Sequence, residues 1–94
     1  MFAGRGRNRT GRIFRTIRRT YGLSQTEVGK RVGISCNYTY MIERGIHLPS
    51  LKVLYRFSGQ FGFNYNLLRI LLMKDKIDQF TKETRTRLKM DDFL

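Results

Sequence analysis

The 94-residue chain has one cysteine, one proline, one histidine and no tryptophan. A single cysteine excludes an internal disulfide, and with only one histidine no tetrahedral zinc site of nitrogen and sulfur ligands can be assembled. Long apolar runs are missing as well. Near residue 70 the longest is Ile70-Leu71-Leu72-Met73, far short of the roughly 18 residues a membrane span requires. No apolar stretch follows the basic N-terminus that would serve as a secretory segment, so a cytoplasmic, membrane-free location is expected, which suits a free thiol. There is no carboxylate pair, nucleophile triad or glycine-rich phosphate loop. Neither enzyme activity nor a cofactor or metal is expected.

Acidic side chains are the other scarcity: seven Asp and Glu stand against 19 Lys and Arg, for a net charge of +12. An excess of that size implies a polyanionic partner, nucleic acid before an anionic membrane. The charge is uneven. Residues 1–22 hold seven arginines and no acid, residues 23–74 hold seven bases and two acids, and residues 75–94 hold five of each. Residues 1–10 alternate Gly and Arg without an apolar period and read as a flexible basic arm. Arg5, Arg7 and Arg9 of this arm are expected to follow the DNA backbone or enter a minor groove, the alternative being a solvated tail.

Apolar residues make up 40% of the chain and aromatics 13%, enough for one small domain. Strand alternation is absent, whereas helical periods recur. Ile13, Phe14, Ile17 and Tyr21 mark one face of a first helix that ends at Gly22, with Arg12, Arg15 and Arg19 off that face. Ser24-Gln25-Thr26-Glu27 is a capping box opening a second helix, with Val28 and Val32 inward and Gly33 as its left-handed stop. Ser35 caps a third helix carrying Tyr38, Thr39 and Ile42. Ser50 caps a fourth with Leu51, Leu54, Phe57, Ser58 and Phe61 inward, and Asn64 a fifth with Leu67, Leu68, Leu71 and Leu72. The fold class is all-α.

Two capped helices joined by a tight Gly33-Ile34-Ser35 turn form a helix-turn-helix pattern, with the small Gly29 where the second helix crosses the first. Gly22-Leu23-Ser24-Gln25 before Glu27, the Gly-Ile-Ser turn, Ile42-Glu43-Arg44-Gly45 and Pro49-Ser50-Leu51 follow in order. In these motifs, across residues 11–74, the sequence resembles the XRE-type helix-turn-helix family of Cro and the lambda and 434 phage repressors. That resemblance implies a five-helix lambda-repressor-like DNA-binding domain. Its third helix, about residues 35–44, would lie in the major groove and its second over the DNA backbone. Carried over by position, Cys36, Asn37, Tyr40 and Met41 would read bases. Gln25, Ser35 and Arg44 would meet the backbone, and Arg18 and Glu43 would form a structural ion pair between the first and third helices.

Three departures from the family pattern stand out: Thr39 where Ile or Val is usual, Gly29 where Ala is usual, and the weak base readers Cys36 and Met41. Asn37 is the base-facing side chain able to bond an adenine in bidentate fashion. Tyr38 and Tyr40 cannot both be buried, so one is expected to pack and the other to face the nucleic acid. Residues 75–94 form a C-terminal extension in which Ile77 and Phe80 suggest a sixth helix or a loose segment with apolar side chains to spare. The expected function is a sequence-specific double-stranded DNA-binding transcriptional regulator, a repressor, acting as a homodimer. The alternative is an antitoxin or accessory DNA-binding protein that holds a partner protein through residues 75–94. An RNA-associated factor fits the charge, but neither a stacking sheet nor a Gly-X-X-Gly clamp is present.

Overall fold

The computed structural model describes residues 8–87. Five helices follow one another: α1 (Arg9–Thr20), α2 (Gln25–Val32), α3 (Cys36–Glu43), α4 (Leu51–Phe61) and α5 (Tyr65–Arg87). Among the described residues there is no strand, and no helix is long and apolar enough to cross a membrane.

Local chemistry sets most helix ends. Ser24, Ser35 and Ser50 are extended at their N-caps, and each hydroxyl accepts the backbone N–H three residues on, at 3.0–3.2 Å. Gly33, with φ +77°, takes the left-handed conformation that lets α2 stop and α3 start within three residues. The two helices then cross tightly. A Cβ on Gly29 would come 2.5 Å from the carbonyl oxygen of Ile34, so the residue that weakens α2 as a helix also lets the turn pack onto it.

α1 packs against α3 and α5, α2 against α3 and α4, and α4 against α5. The core between them holds Phe14, Val28, Val32, Ile42, Leu54, Phe57 and Leu68, all fully buried. The rings of Phe14 and Phe57 stack with centroids 3.9 Å apart. Thr39 is also fully buried, and its hydroxyl donates to the Ser35 carbonyl at 3.0 Å, so the polar atom is satisfied where an apolar side chain was expected.

Several expectations shift. α1 begins at Arg9, inside the stretch read as arm: Asn8 is its N-cap, accepting from the Gly11 N–H at 2.8 Å. The carboxylate of Asp75 on α5 accepts from the Thr10 N–H at 2.8 Å and from its hydroxyl at 2.6 Å, binding that first turn across 65 residues of sequence. Leu51 and Leu67, expected inward, are exposed; Val53 and Leu54 turn into the core of α4, and Leu68 and Leu72 into that of α5. Tyr21 lies just past α1 and is half exposed, its ring edge on Phe61 and its hydroxyl donating to the Phe61 carbonyl. Among the described residues no sixth helix forms. α5 runs unbroken through residue 75 to Arg87, and from Lys76 to Lys82 every residue is exposed, so the helix projects beyond the body it packs on.

Candidate nucleic-acid interface

The α2–turn–α3 unit presents one side of a short helix to solvent. α3 buries Thr39, Ile42 and Glu43, while Cys36, Asn37, Tyr40 and the following Arg44 are exposed and Met41 is half-buried. With 3.6 residues per turn, positions 36, 37, 40, 41 and 44 form one stripe. Tyr38 is the tyrosine that packs, its ring 6.0 Å from that of the exposed His47, and Tyr40 is the one left outside. Arg44 covers Tyr40: its guanidinium sits 5.6 Å from the ring centroid and donates to the phenol oxygen at 3.2 Å. The stripe is therefore partly ordered before any partner arrives.

α3 is fastened to the rest of the domain from behind. Arg18 on α1 donates from Nε to Glu43 at 2.6 Å and from Nη2 at 3.0 Å, a bidentate pair with side chains 15% and 4% exposed. Its third donation, from Nη1 to the Leu23 carbonyl, ties in the loop before α2. The hydrogen bonds it donates to Glu43 hold the Arg18 guanidinium above its usual pKa, outweighing its desolvation. Gln25 Nε2 also donates to Glu43, at 3.1 Å. At the start of α2, Ser24 N donates to the Glu27 carboxylate at 2.7 Å, and the backbone and side-chain hydrogen bonds of Ser24 lower the Glu27 pKa.

The helix-turn-helix family model matches residues 14–68, more than half of the chain and the whole of the α2–turn–α3 unit. This chain belongs to the XRE-type helix-turn-helix family of DNA-binding transcription regulators. Among curated proteins it is similar to the ImmF control region 10 kDa protein of Bacillus phage phi105, at 35% identity over 60 residues, covering 64% of this chain and 67% of that protein.

Within the helix-turn-helix frame, the candidate residues fall into three groups. Cys36, Asn37, Tyr40, Met41 and Arg44 share the outward stripe of α3, with Ser35 exposed at its cap. Gln25, expected at a phosphate, lines the cleft beside α3 and donates one side-chain N–H to Glu43. Arg9 leaves the arm altogether: its guanidinium donates to Asp75 at 3.0 Å and Asp78 at 2.7 Å, and the bonds to Asp78 and then Asp75 raise its pKa. Arg5 and Arg7 lie outside the described residues. Among the arginines that sequence reasoning left without a role, two stand out. Arg15 and Arg19 of α1 border a cleft beside Gln25, Tyr40 and Arg44, and their spacing of four on the flank away from Phe14 was the available signal.

Proposed function

We propose that this chain is a sequence-specific, double-stranded DNA-binding repressor that inserts α3 into the major groove and acts as a homodimer. The observation that carries the reading is the outward stripe of α3, with one bidentate amide, Asn37, set among side chains turned away from the core. An asparagine amide pairs with adenine N6 and N7 on the major-groove edge, and a groove about 12 Å wide admits a helix of this diameter. Arg44, at the end of the stripe, supplies a phosphate contact that carries no sequence information. A similar phage protein whose name places it in a control region supports a role in switching transcription.

One α3 reads only about four or five base pairs, too few to select a genomic site, which favours pairing of two copies. α5 offers the surface. Ile70, Met73, Ile77 and Phe80 are 54–68% exposed and recur at intervals of three, four and three, the seam of a helix pair. Residues 75–94 carry no net charge, so a second copy meets no repulsion there. A partner protein held on the same stripe, as an antitoxin would hold one, predicts instead a monomer in isolation.

Asn37→Ala and Arg44→Ala separate reading from holding. Asn37→Ala should weaken the preferred site by about 1–3 kcal/mol and relax base preference at one position of each half-site. Arg44→Ala should weaken preferred and random duplexes alike. Fluorescence titration against both kinds of duplex checks this, and identical behaviour of the two variants would remove Asn37 from the reading face.

A further inference from the structure

We infer that the cleft between α1, the start of α2 and the end of α3 seats the sugar–phosphate backbone of one DNA strand, gripped by Arg15 and Arg19 of α1 together with Arg44. This rests on the double-stranded DNA reading and adds to it a second element, α1, with residues that the helix-turn-helix motif does not contain.

The cleft has a volume of about 480 Å³ and is partly open to solvent. Four arginines line it, Arg15, Arg18, Arg19 and Arg44, with Glu43 the one acid. Arg18 and Gln25 already satisfy Glu43, so that carboxylate is neutralised and the remaining surplus is three positive charges. Among the described residues, ion pairs involve Arg9 and Arg18 but none of those three arginines. Three guanidinium groups held around one concave surface without counter-ions repel one another, and an anion relieves the repulsion. The N-terminus of α2, where Ser24 and Gln25 line the same cleft, adds the positive end of a helix dipole.

Shape selects the kind of anion. An open trough of this size suits a continuous strand better than an isolated ion. Arg15 and Arg19 lie one helical turn apart, about 6 Å along the axis. That separation lets them take neighbouring phosphates instead of competing for one. Guanidinium forks match phosphate oxygens in bidentate geometry, which an ammonium does not. Tyr40 and Arg44 belong both to the cleft and to the outward stripe of α3, so a strand lying in the cleft borders the groove that α3 enters. The acidic lining that would make this surface repel DNA is already sequestered by Arg18.

The test is the salt dependence of binding by the full chain to a duplex of random sequence. Each phosphate contact contributes about 0.9 to the slope of log affinity against log salt. The double variant Arg15→Gln/Arg19→Gln should therefore lose about 1.8 from that slope. Between 50 and 200 mM salt its affinity should fall about tenfold less than that of the wild type. Arg15→Lys/Arg19→Lys, which keeps both charges, should retain most of the slope, and circular dichroism of both variants should match the wild type. A wild-type slope in the folded Gln variant overturns the inference while leaving the DNA reading intact. A wild type that binds no duplex overturns both. Inorganic phosphate, titrated against the Arg15 and Arg19 side-chain NMR signals, should bind weakly and without saturation. Saturable phosphate binding with an unchanged DNA slope would make the cleft a small-anion site and overturn the strand assignment.

Discussion

Asp75→Ala is expected to destabilise the domain by about 2–4 kcal/mol in urea denaturation, one of the largest losses from a single polar substitution among the described residues. The carboxylate is 4% exposed and accepts four hydrogen bonds: from the Thr10 N–H and hydroxyl, and from the Arg9 N–H and guanidinium. Thr10 is fully buried, so truncation leaves its N–H and hydroxyl without an acceptor. Each stranded donor costs about 1–3 kcal/mol. The first turn of α1 also loses a negative charge at its positive end. Asp75→Asn, which keeps one carbonyl oxygen, should fall between wild type and alanine. Arg9→Ala should cost far less, because that guanidinium is half exposed and water replaces its partners. A loss below about 1 kcal/mol for Asp75→Ala would show that α1 does not depend on α5 for its N-terminus.

Breaking the Arg18–Glu43 pair is expected to cost about 3 kcal/mol from either side, because whichever partner remains keeps a desolvated charge. The double variant Arg18→Ala/Glu43→Ala should lose clearly less than the sum of the two, the coupling expected of groups in direct contact. Strictly additive losses would mean that each side chain acts through separate contacts, such as Arg18 with Leu23 or Glu43 with Gln25. The pair matters for function because it fixes the inner face of α3 against α1. A loosened α3 would lose affinity for every duplex, a pattern distinct from the site-specific loss expected of Asn37→Ala.

What was legible in the sequence was local. Ser24, Ser35 and Ser50 announce their helices because a hydroxyl needs only the N–H three residues on, and Gly33 announces its turn because few other residues tolerate a positive φ. The same locality explains the misreadings. Leu51 and Leu67 sit beside better-placed apolar neighbours, and which of two adjacent residues turns inward depends on the packing partner, not on the helix alone. Arg9 read as part of a Gly-Arg arm because Asp75, which holds the first turn of α1, is 65 to 66 residues away. The unbroken run of α5 was hidden similarly: residues 76–82 have mixed charge and are all exposed, so no core-facing period marks them. In the candidate site, the outward stripe came from the family resemblance, carried over by position, and the exposure of Cys36, Asn37 and Tyr40 agrees with it. The hydrogen bond from Gln25 to Glu43 was not legible there, since it depends on where α3 ends in space.

Selection of bound duplexes from a pool of random-sequence DNA, run in parallel with wild type and Asn37→Ala, tests most directly whether α3 reads bases as one half of a symmetric pair. The expected wild-type product is a single pseudo-palindromic motif with half-sites about one helical turn, roughly 34 Å, apart. One adenine position in each half-site should lose its preference in the Asn37→Ala pool. Unenriched, motif-free DNA from the wild-type selection, or an identical motif from both proteins, would contradict it.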